Sequence, residues 1–372
     1  MKTDQEKEKR NWSEYCEKTL SKLSPIVEKL GYTLGADQPH LLGERFLIRP
    51  LAGGRKLVLV GHRISDGAKV VIKASDEKYG IAELARERLC RNTLEKMRFA
   101  YQVFHSPKEL AFVRRGGFTI VVTEFIEQDS SFISRPVEKE FALVLAAFKA
   151  QEGARATTYK HKALVVQTFG EMTAADYYKK ARQYTEDIVK LISNEEIYPE
   201  LVAALAHASA ALRDNQERLD QYGGFLTHWD FTPQNFRVRD NTLYLLDHSS
   251  LRFGNKYEGW ARFINFMALY NPALAQALLE YVRINRTPEE SESLKLMRLF
   301  RLIELIRYYA SWLPRTAGDL HKLTSERIRF WTSVLCAVLD DKKISQEKID
   351  AYTRVRGTLR SEDEKHRQKD LH

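Results

Sequence analysis

Hydrophobic and polar positions change period several times along the first third of the chain. Residues 4–30 place apolar side chains at helical spacing among charged ones, and the run ends at Gly31, so the pattern predicts an amphipathic helix. From residue 45 onward the pattern changes to short, strand-like runs. The predicted strands are 45–51, 56–63, 69–74, 109–113 and 118–125, and one helix is predicted over 81–97.

Beyond Phe125 the pattern is helical almost throughout. Predicted helices cover 137–150, 173–192, 197–220, 258–282, 288–313, 320–340 and 344–358, with breaks at Asn271-Pro272, Thr287-Pro288 and Pro314. The exception is 236–245, in which two strand-like runs flank Asp240-Asn241, a pair suited to a tight hairpin turn. The charged tail 360–372 is poor in apolar residues, so it is expected to be disordered.

Composition narrows the class of protein. With 372 residues and 44% hydrophobic content, the chain is long enough for a substantial core. It has no apolar run of membrane-spanning length and no signal-peptide core at its start, so a cytoplasmic protein without membrane contact is expected. Cys16, Cys90 and Cys336 are far apart and are expected to be reduced thiols.

The net charge of +9 is concentrated in the first part of the chain. Residues 1–125 carry 23 Lys and Arg against 16 Asp and Glu, whereas residues 126–340 carry 27 against 27. A cationic first part suits a nucleotide polyphosphate, although solvated helix faces carry such charge as well. A basic stripe with interleaved aromatic residues is not found, so nucleic acid is not expected as a partner.

One segment carries the residue types of a phosphoryl-transfer site. His228-Trp-Asp-Phe-Thr-Pro-Gln-Asn235 precedes the predicted hairpin, and Asp247 follows it. Folding about Asp240-Asn241 would bring Asn235 and Asp247 to the same end of that hairpin. An amide oxygen and a carboxylate are the hard ligands that Mg²⁺ prefers, and Asp230 is left to accept a proton from an attacking hydroxyl.

The pattern HxDxxxxN followed by a strand ending in Asp resembles the catalytic core of the aminoglycoside phosphotransferase and choline kinase-like family, small-molecule relatives of the protein kinases. The family usually reads His-Gly-Asp-Leu-His-Pro-Gly-Asn, and this chain keeps His228, Asp230, Pro233 and Asn235. The resemblance implies an α+β, two-lobed protein-kinase-like fold. Its N-lobe would be a small antiparallel sheet with one helix, and its C-lobe would be larger and mostly helical.

The same resemblance implies a division of the chain into four segments. Residues 1–35 would form an N-terminal helical extension and residues 36–125 the nucleotide-binding N-lobe. Residues 126–345 would form the catalytic and substrate-binding C-lobe, followed by a C-terminal helix and charged tail over 346–372.

Nucleotide binding would depend on a lysine of the first lobe. Lys73 lies in the apolar run 70–74, where a charge is costly unless it is paired or directed into a cleft. By resemblance it would hold the phosphates of ATP and be held by a helix glutamate. Glu83 and Glu87 lie one turn apart, and Glu87 is preferred. A lysine that only caps an edge strand is the alternative.

Other groups of the first lobe would bind the nucleotide through the backbone. Gly53 and Gly54 are expected to expose N–H groups to phosphate, with a plain hairpin turn as an equal alternative. Glu124 and Ile126 resemble the inter-lobe hinge, where backbone groups meet the edge of adenine.

In the catalytic loop the resemblance assigns three roles. Asp230 would orient and deprotonate the acceptor hydroxyl, while Asn235 and Asp247 would hold Mg²⁺ against the nucleotide phosphates. A turn-forming aspartate is the alternative for Asp230, and His228 is expected to brace the loop rather than to transfer protons.

The chain departs from the family pattern at Trp229, Thr232 and Gln234 of the loop and at Gly259 downstream, and two of these departures bear on the site. Trp229 stands where the family has glycine, and Gly259 stands where the family has an aspartate that braces the catalytic loop, with Glu258 as its acidic neighbour. The bulky ring is expected to bear on substrate shape more than on chemistry. Without the brace, either catalysis would be modest or other groups would support the loop.

Two functions are therefore in view. The first is ATP- and Mg²⁺-dependent transfer of a phosphoryl group to a hydroxyl of a sugar, amino alcohol or related small metabolite. An aminoglycoside is less favoured as acceptor, because residues 126–340 lack the carboxylate excess that suits a polycation. The second is a catalytically weak or inactive kinase-like binding protein. The sequence leaves the oligomeric state and the choice of ATP over GTP open.

Overall fold

The computed structural model describes residues 4–36, 54–97, 104–155, 166–193 and 195–360, together with 163 and 365. The predicted strand 45–51, Gly53 and nearly all of the tail beyond 360 lie outside the described residues. The chain divides into two compact units. The first, here called the sheet unit, comprises Met1–Met97, His105–Asp129 and Arg237–Ser249, and the second, the helical unit, comprises Arg98–Phe104, Ser130–Phe236 and Ser250–His372.

The sheet unit is built on an antiparallel sheet of five strands. The strands are β1 (Tyr32–Leu34), β2 (Leu57–Arg63), β3 (Lys69–Ser75), β4 (Glu109–Arg115) and β5 (Phe118–Glu124), and their order in the sheet is β1-β2-β3-β5-β4. Two helices belong to the same unit, α1 (Asp4–Lys29) and α2 (Lys78–Lys96). Strand β3 is central, with Lys73 opposite Val58 on β2 and opposite Val121 on β5.

The core of the sheet unit lies between α1 and one face of the sheet. Tyr15, Leu23 and Val27 of the helix pack in one cluster with Leu57, Leu59, Val70, Ile72, Ile120 and Val122 of the strands. Alternate residues of a strand point to opposite faces, so the buried set of β3 places Lys73 on the other face, toward α2. Because the apolar side chains of β3 are buried against α1, the side chain of Lys73 points to the opposite face of the sheet.

The helical unit contains most of the remaining elements. Its helices are α3 (Val137–Glu152), α4 (Ala174–Leu191), α5 (Tyr198–Asp214), α6 (Gln216–Gln221), α7 (Glu258–Tyr270), α8 (Pro272–Asn285), α9 (Pro288–Ala310), α10 (Gly318–Leu339) and α11 (Gln346–Leu359). Its short strands β6 (Phe225–His228) and β9 (Leu251–Gly254) pair antiparallel. Between them in sequence, β7 (Phe236–Arg239) and β8 (Thr242–Leu245) form a second two-stranded sheet, which from Arg237 onward belongs to the sheet unit.

The α+β architecture expected from the sequence is confirmed, with a small antiparallel sheet and a larger helical part. Three details differ from the prediction. Strand β1 was not predicted, β6 and β9 were not predicted, and the predicted helix 197–220 is interrupted at Asn215. The expected breaks at Asn271 and Thr287 are present, and both side chains cap the helix that follows. Among the helices that the structure describes, none combines the length and the apolar character needed to cross a bilayer.

Candidate active site

Lys73 of the central strand is held by an acidic residue of α2. Its Nζ lies 2.5 Å from Oε1 of Glu87, and both side chains are largely buried, with 19% and 9% of their surfaces exposed. Burial by itself would raise the pKa of Glu87, but the neighbouring lysines outweigh it and hold that pKa below its ordinary value. Lys73 is therefore a fixed cation on a central strand, not the cap of an edge strand.

A second lysine joins this group. Lys56, just before β2, forms an ion pair with Glu83, so the two glutamates of α2 have different partners. The carboxylates of Glu83, Glu87 and Asp247 together raise the pKa of Lys56, against the effect of its burial. The sequence singled out Glu83 only as a rival partner for Lys73 and did not identify Lys56.

The backbone that follows the glycine pair is fixed by side chains. Gly54 is described as part of a turn, and Gly53 lies outside the described residues. The backbone N–H and Nε of Arg55 both donate to Glu77, at 2.7 Å each, and the hydroxyl of Ser75 donates to the Arg55 carbonyl at 2.6 Å. The N–H of Arg55 is thus committed, and among the described residues of this turn only that of Gly54 stays a candidate for phosphate.

Of the two residues expected at the hinge, Glu124 ends strand β5 and Ile126 follows it by two positions. The N–H of Glu124 donates to the carbonyl of Lys108 at 3.0 Å, while its carboxylate accepts the N–H of Lys108 at 2.9 Å. The side chain of Ile126 is buried. Because the Glu124 N–H already has a partner, it is not available to a ligand.

Strands β6 and β9 position the catalytic loop. His228, at the end of β6, is fully buried beside the rings of Phe104 and Phe231. The N–H of the next residue, Trp229, donates to the carbonyl of Ser250 at 3.0 Å. The pairing of β6 with β9 therefore fixes the position of the backbone just before Asp230.

Asp230 is bonded on both carboxylate oxygens. Its Oδ1 accepts Nε of Arg262 at 3.0 Å, and its Oδ2 accepts Nδ2 of Asn235 at 3.1 Å. Burial would raise the pKa of Asp230, but Arg262, with smaller contributions from His228 and Arg301, lowers it below its ordinary value. The carboxylate is thus kept ionised, as a proton acceptor must be, although it is a weaker base than a free one.

The amide of Asn235 has a defined orientation. Nδ2 also donates to the backbone carbonyl of Asp230, at 2.9 Å, which leaves Oδ1 as the lone-pair atom that can face a ligand. Pro233–Asn235 form one 3-10 turn that holds this geometry. The donor chemistry of Asn235 therefore fits a hard cation such as Mg²⁺.

Asp247 occupies a backbone conformation that is uncommon for a residue with a side chain, with φ of 55°. Its carboxylate accepts the hydroxyl of Ser249, and its charge acts on both Glu87 and Lys56. A strained aspartate next to other carboxylates is an arrangement in which a cation would relieve repulsion. Asp247 thus also fits the role of a metal ligand.

The hairpin before Asp247 has the predicted turn. Asp240 and Asn241 have φ of 51° and 58°, the left-handed pair that a tight two-residue hairpin requires. The hairpin turn that the pair Asp240-Asn241 predicted is therefore present in the structure.

The loop is supported by groups other than the expected aspartate. The N–H of Gly259 donates to Oγ1 of Thr227 at 3.1 Å, and a Cβ at Gly259 would lie 3.2 Å from that oxygen. The neighbouring Glu258 is fully buried, where it accepts the hydroxyl of Tyr177 and pairs with Arg252. Glycine is accordingly the residue that this close approach admits, and Arg262, which the sequence did not single out, takes over the contact with Asp230.

The ring of Trp229 packs against two arginine side chains. It lies 5.9 Å from the guanidinium of Arg252 and 5.6 Å from that of Arg301. Such cation–π contacts hold a large ring beside charged groups. The bulky substitution therefore leaves the loop folded.

Comparison with solved structures identifies the fold. The thermostable mutant of aminoglycoside phosphotransferase APH(4)-Ia in its apo form is similar with a TM-score of 0.59 and 14% identity, covering 85% of this chain and 97% of that one. Spectinomycin phosphotransferase APH(9)-Ia in complex with ADP and spectinomycin gives 0.53 and 14%, covering 84% and 97%. Macrolide 2'-phosphotransferase type I gives 0.54 and 14%, covering 83% and 96%.

At these identities the likeness is one of fold. No protein-family model matches the sequence, and no curated protein sequence matches it. The chain has the protein-kinase-like fold of the aminoglycoside phosphotransferases, so the fold implied by the sequence resemblance is confirmed.

Proposed function

We propose that this protein is an ATP- and Mg²⁺-dependent phosphotransferase that acts on a hydroxyl group of a small molecule, such as a sugar, an amino alcohol or a related metabolite. The observation that carries the proposal is the bonding of Asp230 with Asn235, because it leaves an ionised carboxylate and an amide oxygen side by side in a fold shared with phosphotransferases. Two of the similar structures contain AMP-PNP or ADP, which supports a nucleotide as the donor of the phosphoryl group.

The chemistry follows from the charges of these side chains. Asp230 would accept the proton of the acceptor hydroxyl while that oxygen forms a bond to the γ-phosphorus of ATP. The bond from the γ-phosphorus to the bridging oxygen breaks, and ADP leaves with the electron pair. Lys73, held by Glu87, would bind the α- and β-phosphates, with Gly54 offering a backbone N–H.

The metal would be held by residues already described. Asn235, through Oδ1, and Asp247, through its carboxylate, would bind Mg²⁺, which supplies positive charge against the nucleotide phosphates. Backbone groups of Glu124 and Ile126 would meet the adenine edge. Gly53 stays a prediction, since it lies outside the described residues.

The test combines binding with turnover. Mg-ATP is expected to raise the melting temperature of the wild type, and ADP formation is measured across sugars, amino alcohols and antibiotics. Asp230→Asn should keep the nucleotide-dependent shift and lose turnover by at least about 100-fold, the usual contribution of a general base. Asp214→Asn, at an exposed carboxylate of α5, is the matched control and should retain full turnover.

A catalytically silent, kinase-like binding protein is the second candidate. The ion pair of Asp230 with Arg262 favours it, because a carboxylate held by a guanidinium is a weaker proton acceptor. This candidate predicts that Mg-ATP stabilises the protein but that the wild type and Asp230→Asn form ADP at the same background rate. That result would reject the phosphotransferase proposal.

A further inference from the structure

Arg262 holds the proposed base with only part of its guanidinium group. Its Nε donates to Oδ1 of Asp230 at 3.0 Å, and its Nη2 lies 2.9 Å from the same oxygen. A guanidinium carries further N–H groups on Nη1 and Nη2. Among the residues that the structure describes, none accepts these N–H groups in a hydrogen bond or an ion pair. Arg262 therefore has donors left for a second oxygen-bearing group while it keeps Asp230.

The unused edge of this guanidinium is open to a ligand. The side chain of Arg262 is 20% exposed and that of Asp230 is 29% exposed. Nη1 of Arg262 does not belong to the buried polar atoms that lack a partner, so it is accessible to solvent. Because the two side chains are in contact, a molecule that reaches the carboxylate also reaches the guanidinium.

Helix α7 fixes Arg262 beside the catalytic loop. The N–H of Gly259 donates to Oγ1 of Thr227 at 3.1 Å, and Thr227 lies on β6, the strand that leads to the loop. Arg262 follows Gly259 by three positions, so the two residues share one face of α7. The guanidinium is thus in place before any ligand binds, which is what preorganised stabilisation of developing charge requires.

The other arginines beside the loop have partners outside the proposed chemistry. Arg252 and Arg301, which lie against the ring of Trp229, pair with glutamates of α7 and α9. Arg262 pairs with Asp230 itself, although a guanidinium at a proton acceptor makes that acceptor a weaker base. The pairing is therefore unfavourable for proton transfer alone, and a second role of Arg262 would offset this effect.

Phosphoryl transfer offers such a role. At the moment of reaction, the acceptor oxygen is within hydrogen-bond reach of Asp230 and about 3–3.5 Å from the γ-phosphorus. The transferred group then lies within reach of a guanidinium that is bonded to the same carboxylate. A general base contributes about 10²–10⁴-fold to the rate, and an arginine on the oxygens of the transferred group contributes about 10³–10⁵-fold. Stabilisation of those oxygens thus outweighs the lost basicity.

We propose, resting on the function proposed above, that Arg262 is a catalytic residue, which keeps Asp230 with Nε and Nη2 and binds the oxygens of the transferred phosphoryl group with Nη1. The guanidinium balances the negative charge of these oxygens while the bond to ADP lengthens. This contact forms in the transition state and not with bound ATP alone. Its loss should therefore lower kcat and leave the affinity for Mg-ATP unchanged.

Binding of a transition-state mimic tests this role without turnover. ADP with Mg²⁺ and aluminium fluoride places a flat anionic group where the phosphoryl group would be during transfer, whereas Mg-AMP-PNP resembles the ground state. Arg262→Gln should bind the mimic at least about 100-fold less tightly than the wild type, and Mg-AMP-PNP within about threefold. Calorimetric titration measures both affinities. Equal losses for the two ligands, or no loss for the mimic, overturn the proposal.

Two further variants accompany Arg262→Gln. Arg262→Lys keeps the charge and loses the planar fork, so its affinity for the mimic should lie between those of the wild type and Arg262→Gln. Arg283→Gln, at an exposed arginine of α8, is the control and should bind both ligands as the wild type does.

A double-mutant cycle separates a direct contact from an effect through the base. Asp230→Asn removes the charge of the carboxylate. If Arg262 binds the phosphoryl group itself, adding Arg262→Gln to Asp230→Asn should weaken binding of the mimic by a further factor of at least about ten. No further loss would show that Arg262 acts only through Asp230, and this result overturns the proposal.

Turnover supplies a second readout. ADP formation from Mg-ATP is measured where kcat no longer changes with pH, so that the effect of Arg262 on the ionisation of Asp230 does not enter. Arg262→Gln should lower this kcat by at least about 1000-fold and leave KM for Mg-ATP within about threefold. A loss of less than about tenfold in kcat would contradict a contact with the transferred group.

The two proposals fail in different ways. If Mg-ATP neither stabilises the protein nor is turned over, the phosphotransferase proposal is rejected, and with it the role of Arg262. If turnover depends on Asp230 and Arg262→Gln binds the mimic as the wild type does, only the role of Arg262 is rejected.

Discussion

Lys73 Nζ lies 2.5 Å from Glu87 Oε1, whereas Glu83, one turn earlier on α2, is paired with Lys56. The two glutamates of the helix thus have separate partners, one a lysine of β3 and the other the lysine just before β2. The more buried pair is the one on the central strand, where an isolated charge is most costly.

Replacing Lys73 by methionine should therefore affect both stability and turnover. The substitution leaves the buried carboxylate of Glu87 without its partner, so the free energy of unfolding should fall by about 3 kcal/mol and Mg-ATP should no longer raise the melting temperature. The double variant Lys73→Met with Glu87→Gln should recover most of the stability and none of the turnover. Chemical denaturation and ADP formation measure the two effects, and recovery of turnover in the double variant would refute the phosphate-binding role of Lys73.

Removing Arg262 should change the pH dependence of turnover. Arg262 lowers the pKa of Asp230, so Arg262→Gln should raise that pKa, and the acid limb of the kcat/KM profile should move to higher pH. Arg213→Gln, at an exposed arginine of α5, should leave the profile in place. An unchanged acid limb in Arg262→Gln would mean that Asp230 is not the group that titrates.

Two glycines in helices should respond in opposite ways to alanine. At Gly259 a Cβ would lie 3.2 Å from Thr227 Oγ1 and 3.3 Å from the carbonyl of His228, so Gly259→Ala should destabilise the protein by about 1–3 kcal/mol through crowding. At Gly357 nothing lies within 4 Å, so Gly357→Ala should stabilise α11 by about 0.5–1 kcal/mol. Urea unfolding of both variants checks the pair; stabilisation by Gly259→Ala would contradict the close approach.

Stability should depend on pH through a carboxyl group of α3 that has no role in the proposed chemistry. Glu140 is fully buried, and burial raises its pKa to about 7, with the hydrogen bond from Asn271 opposing the shift. The folded pKa lies above the ordinary value of 4.5. Neutral Glu140 therefore contributes its full stability below about pH 4.5, and this contribution is lost as the pH rises through 7.

Glu140→Gln removes that titration. The free energy of unfolding of the wild type, relative to the variant, should decline between pH 4.5 and 7 by on the order of 2 kcal/mol. Denaturant unfolding at four or five pH values measures the difference. A constant difference across this range would show that Glu140 ionises normally in the folded protein.

Local signals in the sequence were sufficient for two features. The apolar run around Lys73 predicted a buried strand, and Asp240-Asn241 predicted the turn of the hairpin. In both cases the determining interaction lies within one strand or one tight turn. Such short-range rules are the ones that a single sequence expresses directly.

Features that depend on distant partners were missed. Arg262 looks like an ordinary charged residue four positions after Glu258, and only the packing of α7 on the catalytic loop brings it to Asp230. Strand β1 has three residues and forms only because β2 offers an edge for it. Lys56 lies outside any recognisable motif, and its burial beside three carboxylates follows from the sheet pairing with β3.

The first helix reaches the backbone next to the glycine pair. Arg55, which follows Gly54, stacks its guanidinium 4.2 Å from the centre of the Tyr15 ring, and the Tyr15 hydroxyl donates to the Arg55 carbonyl at 3.3 Å. Loss of α1 would therefore remove one of the groups that hold the turn containing Gly54, and only Glu77 and Ser75 would still bind the backbone of Arg55. Shortened versions of this protein that begin at residue 31 would consequently bind nucleotide less tightly, although every residue assigned to chemistry would still be present.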